Sequence, residues 1–584
     1  METQKVILTS VFFFLSYLLW NSWYDTFPER YQTKQEPQAQ IIESDVPSVP
    51  VVAAANTNGN NPNSTDALNS VGEVKAQKLI TVTTDVVEYK INQVGGDIVQ
   101  VRLLKFNKSN EDKTPINLLN SNNETLYIAP NGLTGEKGPD TQASRAEYSV
   151  EKLEYNYDQD YNKDTNSLQV NLVANGQDNT KFIKSFVFYK EKYTVDVEYK
   201  VINNGTTDWN GHLFSVLKRK NLGSTASFFS PTAFTGLAAY SVADKFHKIT
   251  PDSLNKNQKV WSSDHGWSAM IQHYFLSAWV PASSEVYQYT AKANQDGTYS
   301  VNLLSPSFVV KPGETKTKSI QFYAGPEQAD NLTVLAPGLE RTVDYGLLWP
   351  ISNGIFWGMK KIYNYVGNWG YAIILVTLLI KLLFYRLASS SYRSMAKMKI
   401  LAPKIEQLKA RYGEDREKMG KAMMELYKKE KVNPLGGCLP MLIQLPFFIA
   451  LYWVIIESVE LRQAPFVWWI TDLSVKDPYF VLPVLMGLSM LAQQKLSPAP
   501  ADPTQAKVMM MLPVVFTVMF VYFPAGLVLY WVVNTIASIV QQWWITKTVD
   551  ADGNYSKKND KNKMSNKKMD IKKIDINKKA MNDG

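Results

Sequence analysis

Five charge-poor apolar segments follow one another between Trp369 and Thr546, and each is about as long as a bilayer is thick. An α-helix needs roughly 20 apolar residues to cross the hydrocarbon core of a membrane. The segments therefore predict a bundle of membrane-spanning helices. Their bounds are Trp369–Tyr385, Cys438–Ile456, Tyr479–Gln494, Val508–Phe523 and Ala525–Thr546.

Another apolar stretch, Val6 to Tyr24, predicts a sixth span, an N-terminal anchor formed by residues 1–24. A cleaved secretion signal is the alternative. The stretch ends in Trp23 and Tyr24, which suit a membrane interface better than a cleavage site. Residues 25–77 are rich in Gln, Asn, Pro, Ser and Ala, which predicts a disordered linker because little apolar surface can be buried.

Residues 78–340 follow a different pattern, in which large apolar residues alternate with polar ones. Such alternation predicts half-buried strands, and it is clearest at Tyr193, Val195, Val197, Tyr199 and Val201. Asp296-Gly297 is a hairpin-turn signal. Many short strands with few helical periods predict an all-β domain of the sandwich type. The chain has one cysteine, so this domain must hold together by packing and not by an internal disulfide.

Residues 341–368 lead from this domain to the apolar segments. From Ile355 to Trp369 aromatic residues are combined with Lys360 and Lys361, a pattern typical of an amphipathic helix in the membrane interface. The alternative is a simple lead-in to the next span.

The distribution of charge predicts the topology, because cationic loops stay in the cytoplasm. The loop Arg386–Lys431 holds thirteen Lys and Arg against six Asp and Glu, and residues 547–584 hold eleven Lys against six Asp. The loop Glu457–Pro478 has only two cations. We therefore expect six spans, both termini in the cytoplasm and the β domain outside.

The cationic loop also carries helical periodicity. Apolar residues recur at helical spacing on both sides of Gly413, which predicts a charged helical hairpin over residues 388–433. Its methionines, such as Met419 and Met423, either form an adaptable apolar surface or only join the two helices.

Lys381 is the most informative polar residue of the apolar segments, because a lysine inside a span is costly and usually faces protein or water. Polar or aromatic residues on three spans are candidates for lining a hydrophilic groove with it, open to the cytoplasm, and the candidate set is Thr377, Lys381, Gln444, Tyr530, Trp531 and Asn534. In the alternative, Lys381 extends to the cytoplasmic interface and the other polar groups only join helices.

The lysines of the tail are candidate contacts for ribosomal RNA or anionic lipid, or else they only keep the tail soluble; the candidates are Lys557, Lys558, Lys567, Lys568, Lys572 and Lys573. No phosphate loop, zinc signature or hydrolase elbow occurs. The sequence thus favours a protein that is not an enzyme, with no metal, no cofactor and no DNA partner.

Several specific motifs resemble the YidC family of membrane protein insertases over essentially the whole chain. They are YGLLWPISN (345–353), VGNWGYAII (366–374), YRSMAKMKILAPKI (392–405), EKVNPLGGCLPMLIQLPFF (430–448), VELRQAPF (459–466), DLSVKDPY (472–479) and FPAGLVLYW (523–531). The long domain at residues 78–340 resembles the form found in Gram-negative bacteria.

The resemblance implies a core of five helices, residues 369–546, around a groove closed on the external side, with a cytoplasmic hairpin and a periplasmic β-supersandwich. It implies an inner-membrane insertase and chaperone that works without ATP, alone or with the Sec translocon, on nascent membrane proteins. The ribosome, the signal recognition particle receptor and anionic lipids are further candidate partners. Lys381 stands where most relatives have arginine, and Tyr385 is followed by Arg386 where relatives often have proline, which leaves a helix bend there uncertain.

Two other functions remain open from the residues themselves. A solute transporter would use Lys381 as a substrate or coupling site, although no internal repeat is visible. An envelope-assembly module would use the β domain as its working part.

Overall fold

Residues 79–326 form three β-sheets. The structure is a computed structural model that describes residues 78–135, 137–140, 145–221, 234–282, 284–413, 415–430, 432, 439–497 and 503–549. The anchor predicted for residues 1–24, the linker over residues 25–77 and the tail lysines from Lys557 onward lie outside the described residues.

A five-stranded sheet contains the first strands of the chain in the order β4-β3-β2-β1-β8. All of its pairings are antiparallel except β1 with β8. Its strands are β1 (Leu79–Thr83), β2 (Val87–Asn92), β3 (Asp97–Asn107), β4 (Pro115–Leu119) and β8 (Glu154–Asn156).

A nine-stranded antiparallel sheet has the order β14-β13-β16-β17-β21-β11-β10-β9-β7. Along β11 the buried residues are Val195, Val197, Tyr199 and Val201, which confirms the predicted alternation. The strands are β7 (Ser149–Val150), β9 (Leu168–Asn175), β10 (Thr180–Phe188), β11 (Thr194–Asn203), β13 (Thr235–Ser241), β14 (Lys245–Ile249), β16 (Trp267–Gln272), β17 (Phe275–Pro281) and β21 (Thr315–Pro326).

A seven-stranded sheet has the order β15-β18-β19-β12-β20, and β5 and β6 also pair with β12. Gly297, at a φ of 74°, turns the chain between β18 and β19 as the Asp-Gly signal predicts. The strands are β5 (Tyr127–Ile128), β6 (Asn131–Thr134), β12 (Trp209–Lys220), β15 (Lys259–Ser263), β18 (Tyr287–Ala293), β19 (Thr298–Leu304) and β20 (Phe308–Val310). Short helices α1 (Tyr157–Asp160) and α2 (Pro251–Lys256) lie between strands.

The two larger sheets face each other across a shared core. The indole of Trp279 on β17 donates a hydrogen bond to the carbonyl of Val216 on β12 over 3.0 Å. Lys184 on β10 is fully buried, and its ammonium donates to the carbonyls of Gly95, Gly96 and Asn131 at 2.7–3.0 Å. These three acceptors compensate for burying the charge.

Helices replace strands after Pro326. The first of them is α3 (Ala329–Leu335), and two 3-10 turns follow, Leu339–Thr342 and Gly346–Leu348. The chain continues as α4 (Trp349–Val366), whose buried residues Ser352, Ile355 and Met359 lie on one face. Seven further helices follow: α5 (Trp369–Leu383), α6 (Tyr385–Tyr412), α7 (Arg416–Lys429), α8 (Leu439–Glu457), α9 (Val481–Leu496), α10 (Pro503–Phe520) and α11 (Ala525–Val549).

By length and composition, α11 is the one described helix that could cross a membrane unaided, and α5 with α6 could count as one bent span. Three shorter apolar helical stretches also occur. They are Ile443–Glu457 within α8, Val481–Leu496, which is α9, and Lys507–Phe520 within α10. The bend between α5 and α6 is 69° and occurs at Phe384, which has a ψ of 11°. The chain therefore bends here without a proline.

The β domain is joined to the helices through the segment after α8. The guanidinium of Arg462 donates to the carbonyls of Asn107 and Lys108 over 2.7 and 2.8 Å, and Gln463 also donates to Asn107. His273 contacts the carbonyl of Ile456 over 2.9 Å. Burial lowers the pKa of His273 to about 4, so its ring is neutral at this junction at neutral pH.

Glu327 lies at the same junction, directly after β21. It is 3% exposed, and its Oε1 atom has no hydrogen-bond partner among the described residues. Burial, and to a lesser degree the Glu457 carboxyl, raise the pKa of Glu327 well above its ordinary value.

The raised pKa of Glu327 predicts that the free energy of unfolding falls as pH rises. The native pKa lies above the value of about 4.3 expected for the unfolded chain. The contribution of Glu327 to stability is therefore complete below that value and is lost as pH rises toward the native pKa. Glu327→Gln removes the titration, so its melting temperature should fall less between pH 5 and pH 8 than that of the wild type. Thermal unfolding in nanodiscs measures this, with the exposed Glu154→Gln as the control. Parallel curves for all three proteins would contradict the prediction.

Candidate functional site

The site is built around Lys381 on α5. Asn368 caps this helix, because its side-chain oxygen accepts from the backbone N–H groups of Gly370 and Tyr371. Thr377 and Lys381 are one turn apart and both belong to the buried face of α5. The capped helix therefore holds the lysine toward its neighbours in the bundle.

The ammonium of Lys381 lies between three helices. Its Nζ atom is 2.6 Å from Ser538 Oγ on α11 and 3.3 Å from Gln444 Oε1 on α8. The residue is 8% exposed. Within the described part of the chain, no carboxylate oxygen lies within 4.0 Å of this ammonium. A buried cation that has only neutral partners can bind an anion, since a charge out of water gains most from an opposite charge.

Ser538 is oriented by its own helix. Its hydroxyl donates to the carbonyl of Asn534 over 2.7 Å, which leaves its lone pairs to accept from Lys381. Sequence reasoning missed Ser538. A sequence pattern could have identified it, because Thr535, Ser538 and Gln542 follow one another at spacings of three and four residues along the last apolar segment. This spacing places them on one face of a helix, and in the structure all three are buried.

The other predicted residues fall into two groups. Thr377 is 1% exposed, and its hydroxyl donates to the carbonyl of Ile373 over 2.6 Å. Gln444 contacts the lysine directly, whereas Asn534 is linked to it through Ser538, whose hydroxyl donates to the Asn534 backbone carbonyl. Tyr530 and Trp531 lie farther along α11, since the seven residues from Trp531 to Ser538 span about 10 Å.

Trp531 belongs to an aromatic cluster. Its ring meets the ring of Phe448 on α8 edge to face, with the centroids 4.9 Å apart and the planes at 87°. Phe520 of α10 lies 5.3 Å away. Tyr530 is almost fully buried against the same Phe448. The aromatic side chains thus form one wall of the bundle, and the polar group around Lys381 lies two turns along.

The opposite end of the bundle is closed by the loop before α9. One carboxylate oxygen of Asp477 accepts from the Trp469 indole over 3.0 Å, and the other accepts from the backbone N–H of Leu482 over 2.8 Å. Ala525 and Gly526 donate their N–H groups to the carbonyls of Val475 and Leu473, which fixes the start of α11 to this loop.

Among the described helices, α6 and α7, which follow the bend, carry most of the Lys and Arg residues. Lys404 of α6 pairs with Glu430, which follows α7, over 2.6 Å. The predicted ribosome contacts from Lys557 to Lys573 lie outside the described residues. In the described ranges no group of three or more His, Cys, Asp or Glu side chains could hold a metal ion.

Two family models match the chain. The model described as the YidC periplasmic domain matches residues 79–358, and the model described as the 60Kd inner membrane protein matches residues 361–552.

Several curated proteins are similar over nearly their full length. A membrane protein insertase YidC of Pseudomonas putida KT2440 is 42% identical over 561 residues, which cover 94% of this chain and 99% of that protein. The protein of the same name from Coxiella burnetii Dugway 5J108-111 is 42% identical and covers 94% of this chain and 97% of its own. A crystal structure of an active YidC insertase aligns with 20% identity and a TM-score of 0.34, over 80% of this chain and 92% of that one.

The geometry around Lys381 predicts that the stability of the helical region depends strongly on the Ser538 hydroxyl. Ser538→Ala removes the acceptor at 2.6 Å from a buried ammonium, and the unsatisfied group should destabilise the helical region by about 1–3 kcal/mol. Thermal unfolding in nanodiscs measures the effect. Ser489→Ala is the matched control, because the buried Ser489 hydroxyl bonds only to the Met486 carbonyl of its own helix. Equal melting temperatures for the two variants would contradict the prediction.

Proposed function

Because the chain belongs to the YidC family of membrane protein insertases, we propose that it inserts and helps to fold integral proteins of the inner membrane, without ATP hydrolysis. The observation that carries the proposal is the ammonium of Lys381, which is buried among helices and, within the described residues, has Gln444 and Ser538 as its hydrogen-bond partners.

The mechanism follows from the cost of moving polar groups through hydrocarbon. A hydrophilic segment that must cross the membrane loses its water, and each polar group without a partner is costly there. A polar groove that reaches partway into the membrane shortens the apolar distance. The charge on Lys381 attracts acidic residues of the crossing segment. The apolar segment of the client then leaves toward lipid, where burial of its surface stabilises it.

The proposed topology has six spans, with both termini in the cytoplasm and the β domain in the periplasm. The segment Arg386–Lys431, which includes nearly all of α6 and the whole of α7, has thirteen Lys and Arg, and this charge supports a cytoplasmic position for the two helices. We assign residues 388–433 to a cytoplasmic hairpin and residues 341–368 to the external interface. The closed end of the bundle at Asp477 then faces outward.

A charged groove suits an insertase better than the two alternatives. A transporter would need a second conformation of the same site, and the chain has no internal repeat that would supply it. An envelope-assembly module would lose its activity without the β domain. Deleting residues 78–330 separates the cases, because insertion should largely survive if the helices do the work.

The charge of Lys381 is tested by insertion of single-span clients whose external tails are either acidic or neutral. Lys381→Arg keeps the charge and should insert both clients normally. Lys381→Glu repels the acidic tail and should reduce insertion of that client at least several-fold. Protease protection in proteoliposomes measures insertion, and the exposed Lys399→Glu on α6 is the control for a charge change elsewhere.

The path of the client is tested in the same system by photocrosslinking. A probe at residue 381 or 531 should crosslink to a ribosome-stalled client, whereas a probe at the lipid-facing Leu379, 56% exposed, should not. Equal insertion by both charge variants, or crosslinks at Leu379 alone, would remove Lys381 from the mechanism.

The partners proposed for the chain follow from its family, and the basic residues support the ribosome and anionic lipids among them. Nascent membrane proteins are the substrates, and the Sec translocon, the ribosome, the signal recognition particle receptor and anionic lipids are the proposed partners.

The basic tail predicts a salt-dependent contact between the chain and the ribosome. Removing Lys557 to Lys579 should weaken co-sedimentation with ribosomes at low salt, because contacts with phosphates depend steeply on ionic strength. The full chain at high salt is the reference. Unchanged co-sedimentation of the shortened chain at low salt would leave the tail without a role in ribosome binding.

A further inference from the structure

The first three turns of α6 carry a row of cations on one face. At about 100° per residue in an α-helix, Arg393 and Lys397 lie within about 20° of Arg386 around the helix axis. All three side chains are exposed. Ser389 and Ser390 lie between them on the same side of the helix. We call these five residues the arginine face.

Among the described residues, the arginine face has no carboxylate partner. The sequence from Trp369 to Ile405 contains no Asp or Glu, and α11 contains none either. Within the described ranges, Arg386, Arg393 and Lys397 have no carboxylate within 4.0 Å. Farther along the same helix, by contrast, Lys404 pairs with Glu430. The arginine face is therefore free to bind an anion from outside the chain.

An apolar groove lies directly beside this face, between α5 and α11. Its volume is about 730 Å³, and Tyr385 borders both the groove and the arginine face. Leu382 is 70% exposed and Trp544 is 61% exposed. The apolar residues that line it include Leu378, Leu382, Ile536, Ala537, Val540 and Trp544, and the polar residues Lys381 and Gln541 line it as well.

We propose that the groove and the arginine face together bind one anionic glycerophospholipid. The guanidinium groups of Arg386 and Arg393 hold the phosphate, for which their planar forks are suited, and the serine hydroxyls add donors. An acyl chain lies along the groove. Lys381 also lines the groove, with Ser538 and Gln444 as its partners, and the proposal assigns the phosphate to the two arginines. A lipid is favoured over a free phosphate ion because the cations continue directly, at Tyr385, into an apolar surface.

Such a site differs from general attraction to a charged membrane in two respects. It places the lipid at the bend between α5 and α6, and it requires apolar contact as well as charge. The lipid would then touch both α5, which carries Lys381, and α11, which carries Ser538. This inference does not rest on the proposed insertase function.

The charge requirement is tested by native mass spectrometry of the full chain in neutral detergent, titrated with phosphatidylglycerol. Arg386→Gln/Arg393→Gln should weaken binding about ten- to thirtyfold, as expected for two cations close to a phosphate. The matched control is Lys399→Gln/Lys428→Gln, which removes two exposed cations, the first about 140° around α6 from Arg386. The control should bind as the wild type does. Equal weakening in both variants, or in neither, would overturn the proposal.

The lipid is distinguished from a free anion in the same titration. Ala537→Phe fills the groove and Leu382→Gln makes its wall polar, and each should weaken phosphatidylglycerol binding while the melting temperature shows that the protein is folded. Full competition by inorganic phosphate at millimolar concentration, or wild-type binding in both groove variants, would reduce the site to an anion site and overturn the lipid assignment. Equal affinity for phosphatidylcholine would overturn it as well.

Discussion

The helical region depends on how one charge is satisfied away from water. Lys381 has neutral oxygens as its partners, one from α8 and one from α11. A carboxylate in either place would stabilise the charge more strongly, but it would also neutralise it. The arrangement holds the cation at a point where three helices meet, with neutral partners.

Contacts at one end of the helical bundle hold the helices around Lys381 in place. The loop over residues 471–479 is tied to the start of α11 by backbone hydrogen bonds and to α9 by Asp477. The β domain adds a second attachment, since Arg462 binds carbonyl groups after β3. Two sets of contacts therefore stiffen one end of the bundle. The other end carries the bend at Phe384 and the cationic helices.

The sequence predicted the elements whose cause is local. Alternation along β11 and the turn at Gly297 appear as expected because side-chain period and backbone conformation are decided within a few residues. The bend at Phe384 was uncertain because the sequence signal for it, a proline after Tyr385, is replaced by Arg386. In the structure the ring of Phe384 packs edge-on against Phe447. A tertiary contact of this kind accompanies a bend that local sequence does not predict.

The sequence predicted the central residue of the site, Lys381, but it did not predict its partner Ser538. Lys381 stands out because charge is rare inside an apolar segment. Its partner Ser538 is one of several small polar residues on α11, and only the packing of α5 against α11 distinguishes it from them. The same packing leaves the groove beside Tyr385 open, and the groove continues into the arginine face. α5 thus buries one cation against α11, α6 exposes others, and the bend between α5 and α6 separates the two environments.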